Sequence, residues 1–273
     1  MSGIELTLRH EYRGLLDASR LIPENLLQMN TADIERTSLD VSGKPYVVGD
    51  LFSVMTIEDD VLVIQGPVTS SCRWGQTMAS GRLLIECDVG DEVGIAMRGG
   101  SVEIRGSVGN YLASGMRGGR IKVCGNVGDF TGNPTLGERR GMRGGLVTIM
   151  GNAGERTGDC LRRGTLIIHG NVGDYCGARM IAGTIAVGGS LGKFAATMMR
   201  RGTLWAPHLK EESLTTTFTQ PQRVTVPHLA LWYRWLAKED EQFREWAQRE
   251  PMAIRWLGDL AVQGLGEVLS PPL

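Results

Sequence analysis

Hydrophobic positions recur through the middle of the chain with a fixed period. Units that start at one reference residue follow one another in steps of 19 residues, with a single step of 26. The reference residues are Met78, Met97, Met116, Met142, Leu161, Met180 and Met199. A repeat of this length is typical of a solenoid, because each unit buries its apolar face only by stacking on its neighbours.

We number each unit from its reference residue, which is position one. Aliphatic residues then occupy positions six and eight, as at Ile121 and Val123 in the unit that starts at Met116. This alternation predicts a short strand whose apolar side points inward. Glycines follow at positions ten and thirteen with a valine-like residue between them, and position seventeen is small, as at Gly132. We expect the glycines at these fixed offsets to turn corners with positive φ. Asparagine often fills position eleven, as at Asn126, where it can hydrogen-bond along a stack. So much glycine excludes a helix for the repeat.

Short strands and tight corners predict an all-β fold, a right-handed parallel β-helix built as a solenoid of laps of about 19 residues. We divide the chain into an N-terminal α/β cap over 1–56, the glycine-rich β-helix over 57–206, and a C-terminal linker and helix over 207–273. A short helix is predicted in the cap, within 23–36. The stretch 61–66, VLVIQG, resembles an earlier, degenerate lap.

The C-terminal helix is predicted after Pro227 from a single apolar stripe. Its members are Leu229, Trp232, Leu236, Phe243 and Trp246. Such a stripe fits a cap that packs on the last lap of the β-helix. Its tryptophans are also typical of a helix that docks on a partner protein.

Composition excludes several classes of protein. With 38 Gly but only 10 Pro and 42% apolar residues, the chain does not have the composition of a disordered protein. It has no apolar run suited to a signal peptide or a membrane span, so we expect a cytoplasmic protein without membrane contact. The five cysteines lack C-x-x-C spacing and the four histidines are scattered. We therefore expect reduced thiols and no metal site.

Catalytic motifs are also missing from the sequence. The stretch GGSLGKF, residues 188–194, lacks the first glycine and the Ser/Thr of a nucleotide-binding loop. No nucleophile elbow is present. We therefore expect no catalytic residue in this chain.

Arginine recurs at position two, and these residues form a column along one edge of the predicted β-helix. The column consists of Arg98, Arg117, Arg143, Arg162 and Arg200. Arg163 and Arg201 add a second column at position three, and the seven-residue insertion before Met142 contributes Arg139 and Arg140. The whole chain has a net charge of −1, but 97–201 has a net charge of +9. Arginine suits planar, bidentate partners such as carboxylates.

Stacked like charges repel, so the arginine column needs a compensating partner. Water and corner carbonyls are one solution, and the carboxylates of a partner protein are another. An extended polyanion is the third, since five arginines over six laps span about 24 Å. We expect no nucleic acid, because the column is short and no aromatic residues are interleaved with it for base stacking.

The repeat, written MRGGxIxVxGNVGDxxG, and the preceding VVGDLFSV (47–54) resemble the C-type subunit of formylmethanofuran dehydrogenase. They equally resemble the C-type subunit of its bacterial relative, the formyltransferase/hydrolase complex. The resemblance covers about residues 20–206. The glutamate synthase large subunit has a similar glycine-rich β-helix, whereas the stretch 22–54 resembles the lead-in segment of the one-carbon family.

This resemblance implies a non-catalytic scaffold subunit in a larger complex. Its partners would be an amidohydrolase-like A-type subunit, a B-type subunit and a formyltransferase-like D-type subunit. Together they move a formyl group between tetrahydromethanopterin, methanofuran-type carriers and formate, in the oxidation of formaldehyde during one-carbon metabolism.

Methanofuran-type carriers have glutamate-rich tails, so we infer that the arginine column tethers the polyglutamate tail of such a carrier. We expect no cofactor bound for catalysis. We favour the bacterial hydrolase version of the complex. The alternatives are the C-type subunit of an archaeal-type formylmethanofuran dehydrogenase and a purely structural, glutamate-synthase-like β-helix without a ligand.

Overall fold

Most strands belong to a single sheet of 13 strands in which the strands of the repeat run parallel. The structure is a computed structural model that describes residues 3–239, 241–248 and 250–272. Of residues 242 and 245–247 it describes the backbone. Strand is thus the main regular structure of the described chain, which confirms the all-β class.

The N-terminal region mixes strands with short helices. Its elements are β1 (Gly3–Leu8), β2 (Leu16–Asp17), α1 (Pro23–Leu26), α2 (Thr31–Glu35), β3 (Ser38–Val41), β4 (Lys44–Val47), α3 (Val48–Leu51) and β5 (Phe52–Ile57). Strand β1 pairs antiparallel with β5 at one edge of the large sheet. The helix expected within 23–36 is present as two short helices, α1 and α2.

Each lap of the repeat contributes one strand to the large sheet. These strands are β6 (Leu62–Gln65), β8 (Arg82–Ile85), β9 (Ser101–Ile104), β10 (Arg120–Val123), β11 (Arg143–Ile149), β12 (Arg163–Ile168), β13 (Thr184–Val187) and β14 (Arg201–Trp205), with β7 (Ser71–Cys72) between the first two. Strand β7 joins a second sheet of order β4-β3-β2-β7. Strand β6 pairs in parallel with β8, so the degenerate lap at 61–66 is confirmed.

Neighbouring laps keep the register that the repeat predicts. Ile121 lies beside Val102 in the preceding lap and Val147 in the following one, so the long step does not shift the pairing. A second line of parallel bridges joins the valine-like residues at position twelve: Val89, Val108, Val127, Ala153, Val172 and Leu191. Two such lines of pairing between successive laps make the fold β-helix-like.

The core of the repeat lies inside this stack. The inward positions six and eight are at most 1% exposed from β8 to β13, as at Ile121 and Val123. The residues of the position-twelve line are at most 7% exposed, as at Val127 and Leu191. The inward direction predicted from the period of two is therefore confirmed.

The glycines at positions ten and thirteen do not turn corners, and this expectation is wrong. Their φ angles lie outside the positive region. A Cβ added at Gly170 would lie 2.4 Å from Asn152 Oδ1 and 2.6 Å from the carbonyl oxygen of Gly151. These glycines are needed because the preceding lap approaches too closely for any side chain. The expectation is confirmed at position seventeen, where Gly132 has a φ of 74°. Positive φ also occurs at position four, as at Gly119 with 90°, and at non-glycine residues such as Phe130 with 64°.

The C-terminal region, interpreted from the sequence as a linker and a helix, also contains three strands. Its elements are a 3₁₀ helix (Glu211–Ser213), β15 (Gln222–Thr225), α4 (Pro227–Glu239), a second 3₁₀ helix (Glu241–Gln248), β16 (Met252–Gly258) and β17 (Leu265–Ser270). Strand β17 pairs in parallel with β14 and antiparallel with β16. The C-terminal region therefore extends the large sheet beyond the last lap of the repeat.

Helix α4 packs against the side of the stack. Leu229 and Leu236 of the predicted stripe are buried, and they join a cluster with the outward-facing Ile167 and Trp205 of β12 and β14. Phe243 in the 3₁₀ helix completes this cluster, whereas the side chain of Trp246 lies outside the described residues. The helix thus covers the outer face of the last strands, which differs from the expected cap on the last lap.

Among the described residues, no helix is long and apolar enough to cross a membrane.

Candidate functional site

The residues at position two stack in register along one edge of the repeat. The backbone N–H of Arg117 donates to the carbonyl of Met97 at 2.7 Å, and that of Arg143 donates to Met116 at 2.6 Å. The corresponding bond is made by Arg98, Arg162, Ile181 and Arg200. The structure therefore aligns all five arginines of the column, with one interruption at Ile181.

The guanidinium groups of the column differ in their partners. Arg143 is paired with Glu138 of the insertion, with 2.5 Å between Nη2 and Oε2, and its side chain is 29% exposed. In the part of the chain that the structure describes, no acidic side chain pairs with Arg98, Arg117, Arg162 or Arg200. Four of the five positive charges are thus available to a ligand or a partner.

The other predicted arginines lie beside the column. Arg163 is aligned with Arg143 across β11 and β12, at the point where the register shifts. Arg201 begins β14, and both Arg163 and Arg201 are exposed. Arg139 and Arg140 are exposed in the insertion, and the Glu138–Arg143 pair holds that insertion on the arginine edge. The structure therefore gathers the predicted residues on one edge.

A carboxylate occupies the first position of the column, one lap before Arg98. Ala79 stands there in place of arginine, and its N–H donates to both carboxylate oxygens of Glu24 at 2.9 and 3.1 Å. The N–H of Ser80 donates to Glu24 Oε2 at 3.1 Å. Glu24 comes from helix α1 in the N-terminal region. The edge can therefore accommodate a carboxylate at a position of the stack.

Asp159 is a buried acid that the sequence analysis did not single out. Its side chain is 1% exposed, and its oxygens accept hydrogen bonds from Arg179 Nε at 2.8 Å and Arg156 Nη1 at 3.1 Å. Burial and then the charge of Asp159 raise the pKa of the neighbouring Cys160 thiol to about 11. This cluster joins two successive laps of the repeat, because Arg156 and Asp159 lie in one lap and Arg179 in the next.

A second column missed by sequence reasoning stands at position fifteen. Tyr111 stacks on Phe130 with ring centroids 5.0 Å apart, and Tyr175 stacks on Phe194 at 5.1 Å. Arg156 lies over the ring of Tyr175 at 4.9 Å. A planar group at position fifteen in successive laps is the signal that would have revealed this column. Stacked planar groups of this kind stabilise a solenoid through their mutual contacts.

Two polar ladders cross-link the laps elsewhere. Asn152 Oδ1 at position eleven accepts the N–H of Asn171 at 2.8 Å, which confirms the predicted hydrogen bonds along the stack. At position fourteen, Asp129 Oδ1 accepts the N–H of Glu155, also at 2.8 Å. The acids of this second ladder lie twelve positions further along the lap than the arginine column. The repeat therefore keeps its basic and acidic columns apart.

A cleft of about 520 Å³ lies between the outer face of β8 to β11 and the end of α4. Its charged lining is balanced: Arg82, Arg120 and Lys122 face Glu103, Glu239 and Glu241. Arg120 is already bound to Glu239. Among the described residues, no three His, Cys, Asp or Glu side chains are grouped so that they could hold a metal ion.

Among the solved structures to which this chain is similar is the X-ray crystal structure of the formyltransferase/hydrolase complex (FhcABCD) from Methylorubrum extorquens in complex with methylofuran. The TM-score is 0.87 at 29% sequence identity, and the match covers 98% of this chain and 100% of the other. It confirms the resemblance to this complex that the repeat indicates. No protein-family model and no curated protein matches the chain.

Proposed function

We propose that this chain is the C-type subunit, a non-catalytic scaffold, of a formyltransferase/hydrolase complex. The similarity to a chain of such a complex over 98% of the residues supports this assignment. The partners would be an amidohydrolase-like A-type subunit, a B-type subunit and a formyltransferase-like D-type subunit. The laps would wind as a right-handed solenoid of about 19 residues each, since crossovers between parallel strands are right-handed in nearly all proteins.

The specific role that we propose is to hold the polyglutamate tail of a methanofuran-type carrier on the arginine column. One observation supports this role most directly: the backbone aligns five arginines, four of which pair with no acid of the described chain. The column spans about 24 Å at the usual strand spacing. A tail with one carboxylate per residue can meet several guanidiniums at once, because the arginine side chains adjust to its spacing.

Many weak contacts on this edge would hold the tail while the reactive end of the carrier stays mobile. Each charge-assisted contact at a partly exposed edge contributes about 0.5–1.5 kcal/mol. A tethered carrier reaches two active sites at high effective concentration. Formyl transfer between subunits then does not require the carrier to dissociate from the complex and bind again. Binding should weaken with salt, because screening reduces each contact.

The test is to change Arg117, Arg143 and Arg162 together to Gln in the assembled complex. Gln retains hydrogen bonding and most of the side-chain length but removes the charge. We expect the complex to assemble, to lose the copurifying carrier and to lose overall formyl transfer, while each isolated active site stays intact. A carrier that copurifies at wild-type levels would contradict the tethering role.

A matched control removes the same charge from another face. Arg82 and Lys122 lie at outward positions of β8 and β10, and Arg105 follows β9 and pairs with Glu86 at 3.1 Å, as Arg143 pairs with Glu138 in the column. Their triple change to Gln also lowers the net charge by three. We expect this variant to retain the carrier. Equal loss of carrier in both variants would mean that general charge, and not the column, binds the tail.

The second candidate role is a scaffold whose arginine edge is covered by carboxylates of another protein of the complex. The same lack of acidic partners in the described chain supports this alternative. It predicts a different outcome for the arginine variant: failure of the complex to assemble.

Determining the masses of the subunits in the native complex would separate the hydrolase from the dehydrogenase version, because the two versions differ in their other subunits.

A further inference from the structure

The insertion before Met142 places an acid on the middle of the arginine column. Glu138 pairs with Arg143, whereas the neighbouring Arg117 and Arg162 have no acidic partner within the described residues. Glu138 comes from the seven residues by which this lap exceeds the others, so its carboxylate is an addition to the regular repeat. A ligand that spans the column from Arg117 to Arg162 must therefore meet this carboxylate.

The Glu138–Arg143 pair leaves the guanidinium incompletely bonded. Glu138 contacts Nη2 of Arg143, and Nε of Arg143 is buried and has no hydrogen-bond partner among the described residues. Arg179 provides the comparison within the same fold, because it donates both Nε and Nη2 to the two oxygens of Asp159. A carboxylate that engages both sides of the fork is the stronger partner. Glu138 is thus a weaker partner for Arg143 than a two-oxygen ligand would be.

The tip of the insertion has few other attachments. Leu136 is fully exposed, and a Cβ added at Gly137 would meet no atom within 4 Å. The N–H of Glu138 donates to the carbonyl of Thr135 at 2.9 Å, a bond that lies within the loop itself. Breaking the Glu138–Arg143 pair therefore disturbs little else, and the tip can move away without loss of core packing.

We infer that Glu138 is an internal competitor that occupies the central guanidinium of the column until a polycarboxylate ligand displaces it. This inference rests on the proposed role of the column as the site of a polyglutamate tail. Glu138 shields Arg143 from repulsion by Arg117 and Arg162 while the column is empty. It also lowers the affinity for the tail, which favours release of the carrier.

The experiment measures the binding of fluorescein-labelled hexaglutamate to the full chain by fluorescence anisotropy. Glu138→Gln removes the competing charge, and we expect the probe to bind about two- to five-fold more tightly, the factor that corresponds to an exposed ion pair. In an Arg143→Gln background, Glu138→Gln should not change the affinity for the probe, because the guanidinium for which Glu138 competes is absent. Glu155→Gln removes one exposed acid from the position-fourteen ladder and is the control for net charge.

Several results would overturn the inference. Unchanged affinity in Glu138→Gln, or an equal gain in Glu155→Gln or in the Arg143→Gln background, would mean that Glu138 does not compete at Arg143. Should Glu138→Gln fold poorly by thermal melting, Glu138→Ala supplies the same test, since it also removes the carboxylate and keeps Arg139 and Arg140 of the insertion. Retention of wild-type affinity in Glu138→Ala, with no gain, would count equally against the competitor.

Failure of the proposed function has a distinct signature. If Arg117→Gln and Arg162→Gln leave the affinity for the probe unchanged, the column is not the tail site. Hydrogen exchange of 133–141 still tests the Glu138–Arg143 contact in that case, because exchange should rise in Glu138→Gln without any ligand. In the wild type, adding the probe should raise exchange of the same segment, and protection instead would show that Glu138 is not displaced.

Discussion

Asp159 offers the sharpest test of how the repeat is held together. Asp159→Asn keeps the size of the side chain and removes its charge. The wild-type carboxylate is 1% exposed and accepts hydrogen bonds from Arg156 and from two nitrogens of Arg179. In the variant, the amide NH₂ replaces one acceptor with a donor and faces a guanidinium. We therefore expect at least one buried hydrogen bond to be lost and the others to weaken.

The expected loss follows from these three bonds. Hydrogen bonds to charged groups contribute about 1.5–3 kcal/mol each when buried. The side chains of Arg156 and Arg179 are 36% and 56% exposed, so both regain water in the variant. This recovery reduces the net effect to about 2–3 kcal/mol of unfolding free energy.

Urea unfolding of the full chain, with linear extrapolation, measures this difference as a shift of the midpoint at constant slope. Asp174→Asn is the control, because within the described part of the chain Asp174 accepts one hydrogen bond, from the backbone N–H of Lys193, and asparagine can keep that bond. We expect the control to stay within about 0.5 kcal/mol of the wild type. A loss of less than about 1 kcal/mol in Asp159→Asn would refute the reasoning, since it would mean that solvent already satisfies the carboxylate.

Two further predictions concern the core and its thiols. Ile121→Asp should unfold the repeat, because Ile121 is 1% exposed and an unpaired buried charge costs several kcal/mol; an unchanged melting curve would contradict the inward assignment. Burial raises the pKa of Cys176 to about 12, from an ordinary value of 9.0. The unfolded chain therefore releases this proton first, so the unfolding free energy should fall as pH rises from about 9 to 12. In Cys176→Ala, the urea midpoint should fall less steeply with pH over this range than in the wild type. An equally steep fall would mean that the Cys176 thiol is not the cause of the pH dependence.

The fold of the repeat could be predicted because its signal is local and repeated. The period of two at positions six and eight decides which side chains point inward, and burial of residues such as Ile121 agrees with it. The step between units decides which residues stack, so a shared position in the repeat becomes a column in space. The arginine column and the asparagine ladder follow from this rule, and the backbone bonds of Arg117 and Arg143 bear it out.

The parts that escaped prediction depend on contacts that the repeat does not encode. A glycine can be required either because its φ is positive or because a neighbouring segment approaches too closely for a side chain. At Gly170 the second reason applies, and this is visible only from the position of Asn152 Oδ1 in the preceding lap. Strand β17 joins β14 across more than sixty residues of chain, and no local pattern specifies that pairing. Glu24 and Glu138 reach the arginine edge from the N-terminal region and the insertion, so their roles could not be read from the repeat.

The arrangement of charge along the repeat explains how a column of arginines is tolerated. Backbone hydrogen bonds of 2.6–2.9 Å between laps hold the spacing of the column whatever the side chains do. The aspartates at position fourteen accept backbone N–H groups, as Asp129 does from Glu155 and Asp174 does from Lys193. The acid Asp159 is bound to Arg156 and Arg179. These acids are thus bound elsewhere, and among the described residues Arg143 alone of the five column arginines has an acidic partner, Glu138. A fold that neutralised this edge internally would hold a polycarboxylate no better than any other exposed surface.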